Sequence, residues 1–364
     1  MLKKVYDGSI SYVQIMDEYG NVDASLRPDS LGDDKIIDMY KWMSYARALD
    51  TKVLSLQRQG RAATYAPLVG QEAEQIGSAL AMRKQDYFVP NFRQHGVYLA
   101  RGYPLDTFFL YWKGYEEGAV VGKEYNALPP IVPVATQTLH AAGIAYAQKF
   151  GKTNAVVVTY VGDGGTSEGN FYESLNFAGE FNLPLVTIIE NNEWAISEPE
   201  KNQTAAPTLA QKAIGAGIPG VQVDGNDVIG VYKVVSDAIA NAAAGKGPML
   251  IEALTYRMSM HTTADDPTKY RDDKEVTAWK PRDPILRVKT YLTKKNLWND
   301  KLEQQMADEQ LKKIDEAVDK AEQFKPDPRS MFEHVYSFMP ETLKQEEDAA
   351  IAENFWQTAG GAGE

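Results

Sequence analysis

Gly162, Asp163 and Gly164 close one apolar run, with Gly165 next, and Asn191 and Asn192 close another after 26 residues counted from Gly164. A carboxylate and an amide oxygen are hard donors, and glycines beside them let the backbone come close to an anion. Together the two segments predict a cradle for a diphosphate and its metal. Two protein oxygens leave most of an octahedron to water and phosphate, which suits Mg²⁺ better than zinc. With no Cys and only 4 His, the chain points the same way. Two other patterns compete with this one. A tight glycine turn and an Asn-rich loop could belong to an ordinary doubly wound sheet, while a dinucleotide site would need glycine where Ser167 stands.

The elements that must hold these residues are legible on either side. Residues 155–161 form a β-branched run expected to be a buried parallel strand. Residues 168–181 carry Phe171, Leu175 and Ala178 at helical spacing, which puts the glycine loop at a helix N-terminus. A second strand is expected over 185–189. The alternation continues with a strand and turn at 221–227, a helix at 228–244 and a buried strand at 249–255 leading to Arg257 and His261. The fold class that follows is α/β, a doubly wound and mostly parallel sheet with both loops at its carboxyl edge. Upstream, helices are predicted over 34–59, ended by Gly60, and from Leu68 to Met82. Residues 87–90 read as extended, 114–133 as a loop open to ligand or partner, and 136–150 as a helix of small residues. Residues 201–207 read as irregular and 208–215 as helical. The domain reading is an arm at 1–34 free to wrap a neighbour, a site-bearing domain at 35–290, and a helical extension at 291–364. That extension is helical over 301–324, and after Glu341 it is an acidic tail, read as a solvated face or flexible end.

Composition narrows the function classes. The 364 residues are 44% hydrophobic and carry a net charge of −12, which disfavours nucleic acid or an anionic membrane as partner. No stretch has the length and apolarity of a membrane span, and the expected location is the cytoplasm. Without Cys there is neither a disulfide scaffold nor a thiol nucleophile.

The glycine and asparagine segments match the thiamine-diphosphate motif, and further segments extend the likeness along most of the chain. They are Arg58 to Arg61, Gly70-Gln71-Glu72, Phe92-Arg93, Val223 to Asp227, and Thr255-Tyr256-Arg257 through Tyr270-Arg271. Together they resemble the alpha subunit of the first, decarboxylating component of a 2-oxo acid dehydrogenase complex, of pyruvate or branched-chain type. The resemblance implies the diphosphate-binding half of a thiamine enzyme. It implies oxidative decarboxylation of a small 2-oxo acid, with acyl transfer to lipoyl-lysine on a second component.

What the resemblance implies for single residues follows from the matched positions. Asp163, Asn192 and the carbonyl of Trp194 would hold Mg²⁺, with Gly162, Gly164 and Gly165 around the diphosphate. Arg93, after Phe92, would pair with that diphosphate, a surface salt bridge being the alternative. Val132 and Val134 match positions near the aminopyrimidine, although a packed apolar loop would look similar. Ile196 matches the bulky residue that bends the cofactor, and Tyr65 a pocket tyrosine; core packing is the alternative for both. His261 matches the catalytic histidine that supplies a proton, whereas a generic loop histidine would be solvated. His95 is expected near the site, and His140 and His334 are expected to be structural or exposed.

The match has departures. Members often carry two histidines where Ser259-Met260 precede a single His261, and Thr262 and Thr263 stand where mammalian relatives have a regulatory serine. The loop spacing after His261 fits branched-chain relatives, while residues 265–271 also fit pyruvate-type subunits. No glutamate for the cofactor's N1′ is evident, so a beta subunit would supply it in an α₂β₂ heterotetramer, with a lipoyl-bearing acyltransferase as a separate chain. Acetoin dehydrogenase and a noncatalytic thiamine-diphosphate-binding subunit are the competing readings.

Overall fold

In the computed structural model, which describes residues 1–353, the two most apolar runs become neighbouring central strands. Strands β1 (Ser11–Val13), β2 (Tyr87–Val89), β3 (Val157–Gly162) and β4 (Leu185–Asn191) are followed by a small antiparallel pair, β5 (Trp194–Ala195) and β6 (Glu198–Pro199). Then come β7 (Gly220–Asp224) and β8 (Met249–Leu254). Among the described residues, six of these make one parallel sheet in the order β1-β7-β8-β4-β3-β2. All of β4 is buried, as a strand covered on both faces must be.

Strand parity sorts the faces. Leu185 and Ile189 pack into apolar clusters with α5 (Thr136–Phe150) and α6 (Gly169–Glu180). Glu190, of the other parity, turns toward Gln75 on α2 (Glu72–Ala81). There α2 lies against α8 (Val228–Ala243), and Gly77 makes the approach possible: a Cβ would sit 2.9 Å from a Val231 methyl and 3.0 Å from the Val228 carbonyl. Helices therefore cover both faces, as the α/β reading requires. Register pairs Gly162 with Glu190 and Asn191 with Leu254, so the carboxyl ends of β3, β4 and β8 form one edge. The chain steps from β4 over the place of β8 to β7, and a crevice opens at such a switch point.

The remaining helices are α1 (Asp33–Arg58), α3 (His95–Ala100), α4 (Leu105–Lys113), α7 (Lys212–Gly215), α9 (Asp273–Trp279), α10 (Pro284–Lys294), α11 (Asp300–Glu322), α12 (Ser330–Glu333) and α13 (Glu341–Ala352). The arm foreseen at 1–34 is not free to wrap a neighbour along its whole length. Residues 11–13 form an edge strand beside β7, and the amides of Ile15 and Met16 both donate to the Asp227 carboxylate, at 2.6 and 2.8 Å. That carboxylate also caps α8 by accepting from the Ile229 amide.

Residues 1–318 form one compact unit, and the described residues from 319 on form another. The boundary foreseen at 290/291 falls inside α10, whose Val288, Tyr291 and Leu292 join the core around α1. In the second unit, residues 341–352 are the helix α13, largely exposed, with Lys344 paired to Glu347 and Asp348. The remainder of the tail, from 354 on, lies outside the described residues. No described helix is long and apolar enough to cross a membrane.

Candidate active site

The glycine loop turns sharply because it must. A Cβ on Gly164 would stand 2.5 Å from Ala195 Cβ, and one on Gly165 would stand 2.5 Å from a Val161 methyl. At Gly162 a Cβ would meet nothing within 4 Å, so the absent side chain leaves open space in a cleft of about 550 Å³. Asp163 and Asn192, both buried, face this cleft together with Trp194. Burial pushes the Asp163 carboxyl up to about 6. One of its oxygens accepts from Gln203 Nε2 at 2.9 Å. The Asn192 amide is oriented by donation to Gln71 Oε1 at 3.0 Å, and the Gln71 Nε2 beside it is buried without a partner. The Trp194 carbonyl accepts from Arg257 Nη1 at 2.8 Å, which leaves its second lone pair available. Among the described residues no cluster of three or more His, Cys, Asp or Glu could hold a metal. An Asp, an Asn and a carbonyl are hard oxygen donors and fit a cation whose remaining coordination a ligand's phosphate oxygens would complete.

Arg257 also donates to the Ile196 carbonyl at 2.6 Å and to the Tyr270 hydroxyl at 3.0 Å. It thereby ties the asparagine loop to the loop of His261. Ile196 is held at φ 56°, a conformation that a β-branched residue adopts only under constraint, and its side chain is 55% exposed at the cleft. Glu193 at φ 67° and Ala135 at φ 63° strain the neighbouring turns in the same sense.

His261 stands between two guanidinium groups. Its Nδ1 lies 3.2 Å from Arg93 Nη2 and 3.3 Å from Arg257 Nη1, and its amide donates to Asp265 at 2.8 Å. Arginine nitrogens can only donate, so Nδ1 must accept and the ring proton belongs on Nε2. Burial and the two arginines push the His261 pKa down to about 3. The ring is therefore neutral at physiological pH. Arg93 is buried, with its pKa lowered to about 10 by burial and by Arg257, and remains charged. Its guanidinium donates to the carbonyls of Pro67 and His261 and lies over the Phe92 ring.

Phe92, Arg93, Val132, Val134, Ile196 and His261 all line the cleft with the glycine loop, Asn192 and Trp194. Val132 and Val134 are 60% and 53% exposed at its mouth. Tyr65 and His95 are not among the lining residues. Tyr65 is fully buried, with its hydroxyl donating to Asp50 at 2.6 Å, and it stacks on His95, whose Nε2 is 2.9 Å from the Ala66 carbonyl. Both sit behind the wall rather than on it.

Several participants were not singled out as site residues from the sequence. Gln203 and Gln71 orient the Asp and Asn from loops distant in sequence, and Lys212 braces the glycine turn by donating to the Thr166 carbonyl and hydroxyl, each at 2.8 Å. Glu190 accepts from Asn91 and Gln94 at the cleft floor. Burial, and Glu190 nearby, push the Glu74 carboxyl on α2 well above the carboxylate range. The available signal was the density of polar residues in 71–78 and 91–95, unusual for segments that turn out to be buried.

A family model described as the dehydrogenase E1 component matches residues 40–329. The chain is 43% identical over 337 residues, 92% of this chain and 91% of the relative, to a pyruvate dehydrogenase E1 component subunit alpha of Staphylococcus aureus. It is 49% identical over 268 residues, 74% of this chain and 73% of the relative, to a 3-methyl-2-oxobutanoate dehydrogenase subunit alpha of Mycobacterium tuberculosis.

Proposed function

The chain belongs to the dehydrogenase E1 component family, a family of thiamine-diphosphate-dependent 2-oxo acid dehydrogenase components, and on that premise we propose that its cleft is the diphosphate half of a site completed by a beta subunit. The observation that carries the reading is the convergence of Asp163, Asn192 and the Trp194 carbonyl on one cleft with Arg93, Arg257 and His261. Thiamine diphosphate, when bound, supplies the nucleophilic carbon and the electron sink for decarboxylating a 2-oxo acid.

The chain's own residues bind, orient and donate hydrogen bonds. Asp163, Asn192 and the Trp194 carbonyl would hold Mg²⁺, and Gly162, Gly164 and Gly165 would let the backbone approach a diphosphate. Arg93 and Arg257 place positive charge beside that anion. Ile196, on its strained turn, would press on the cofactor, and Val132 and Val134 would offer an apolar edge to its pyrimidine ring. His261 offers its Nε2–H to the reacting carbonyl oxygen as a hydrogen-bond donor. The N1′ glutamate comes from the beta subunit of an α₂β₂ heterotetramer, and the acyl group passes to lipoyl-lysine of an acyltransferase component.

The test is co-expression with a beta subunit and assay of 2-oxo acid decarboxylation with an artificial electron acceptor. Turnover that requires both thiamine diphosphate and Mg²⁺ is expected. A stable, cofactor-loaded tetramer that turns over acetoin but no 2-oxo acid would contradict the proposal, as would one that turns over neither.

A further inference from the structure

Behind the glycine loop lies a buried cation, Lys212, the first residue of α7. Its Nζ donates to the Thr166 carbonyl and to Thr166 Oγ1, each at 2.8 Å. The Thr166 hydroxyl and amide both donate onward to the Asp163 carbonyl, at 2.7 and 3.0 Å. An ammonium cannot accept and a carbonyl cannot donate, so the chain of donation runs one way, from Lys212 to the backbone of Asp163. Gln203 holds the side chain of the same residue.

The segment before Lys212 reaches the other motif loop. The Ala210 amide donates to one Glu252 oxygen at 2.9 Å, and the other accepts from Asn191 Nδ2 at 2.8 Å. Leu209 and Ala213 pack into the apolar cluster of Val161 and Phe171, which fixes the segment against β3 and α6. Residues 209–213 therefore hold both loops that frame the metal ligands, Asp163 through Thr166 and the asparagine loop through Glu252.

A charge is not needed to fill this place. Among the described residues Lys212 makes no ion pair. Phe171 and Tyr172 offer their rings at 6.0 and 5.3 Å from its Nζ, and Glu200 feels the charge from farther off. Taking an ammonium out of water without a carboxylate beside it costs stability, which hydrogen bonds and ring faces restore in part. A methionine would fill the same space without that cost. What the ammonium adds is positive potential behind the loop, strengthened by the low dielectric of its surroundings. Resting on the thiamine-diphosphate reading above, we propose that Lys212 is a positioning residue for Mg²⁺ and diphosphate. Through Thr166 it sets the backbone of Asp163, and its charge favours an anion before the glycine loop, while lowering the stability of the empty protein.

The experiment uses the heterotetramer reconstituted with a beta subunit and compares wild type, Lys212→Met, Thr166→Val and the double variant. It reads calorimetric titration of thiamine diphosphate in the presence of Mg²⁺, and the unfolding midpoint without cofactor. Lys212→Met should weaken binding by at least about 10-fold while the cofactor-free midpoint stays level or rises. Thr166→Val, which keeps the ammonium and removes the hydroxyl link, should weaken binding by less. Adding Lys212→Met to it should then cost less affinity than the same change does in the wild type. A merely structural brace predicts the reverse, a lower cofactor-free midpoint with the affinity of the folded protein unchanged. A lower midpoint in Lys212→Met, or affinities within about 2-fold of wild type in both single variants, would overturn the proposal. Should Lys212→Met fail to assemble, Thr166→Val decides alone, and an affinity within about 2-fold of wild type would overturn it. A wild-type tetramer that binds no thiamine diphosphate with Mg²⁺ present would instead refute the functional reading on which this role rests.

Discussion

His261 illustrates how neighbours set a residue's chemistry. Two arginines at Nδ1 fix the tautomer with the proton on Nε2, and they oppose formation of the imidazolium. His261→Asn in the heterotetramer should lower kcat by roughly 10²–10⁴ with little change in thiamine-diphosphate affinity; a variant that lost only affinity would move the residue from chemistry to binding. His95 gives a pH prediction of a different kind. Burial lowers its pKa to about 3 in the fold, so below pH 6.5 the unfolded chain binds a proton that the fold refuses. Its contribution to stability is complete above pH 6.5 and falls with pH by up to ~1.4 kcal/mol per unit until about pH 3. Asp50, pushed up to about 7 by burial, acts in the opposite sense, gaining stability as pH falls toward 4. The informative quantity is therefore the difference between variants: His95→Gln should lose less Tm than wild type between pH 7 and 5. Asp163 and Asn192 were legible in the sequence because glycines and a fixed separation surround them. Gln71, Gln203 and Arg257 were harder to read as site residues, since an amide or guanidinium that orients a ligand looks like any polar residue until the chain brings it there.

At the scale of elements, close approach explains which positions tolerate change. Gly77→Ala would drive a Cβ into the Val228 carbonyl on α8 and should cost roughly 1–3 kcal/mol, read as a lower denaturation midpoint with cofactor affinity little altered. Ile196→Gly should do the reverse. It relieves roughly 1–3 kcal/mol of backbone strain and should raise the midpoint while lowering kcat, because the bulk that presses on the cofactor is gone; a variant with full activity would show the strain has no functional role. The central strands were readable because burial on both faces leaves an unbroken apolar run in β3 and β4. Two other elements were not. The nine residues of α4, with Asp106, Thr107 and Lys113 its polar members, are too few to establish a helical period, and β1 has only three residues, followed by an Ile15 whose amide is held by an Asp227 more than two hundred positions away.

For the molecule as a whole, the cleft's exposed apolar edge at Val132, Val134 and Ile196 is where a second subunit has something to cover. The account therefore expects the isolated chain to bind thiamine diphosphate weakly and to be nearly inactive, with both properties appearing together when a beta subunit is added. The most direct measurement is calorimetric titration of thiamine diphosphate into the heterotetramer in the presence of Mg²⁺, comparing wild type with Asp163→Ala. The account predicts tight binding by the wild type, abolished by chelation of Mg²⁺ and weakened by at least about 100-fold in the variant, equivalent to the loss of roughly 2.7 kcal/mol. Equal affinity in wild type and variant, or binding indifferent to Mg²⁺, would contradict it.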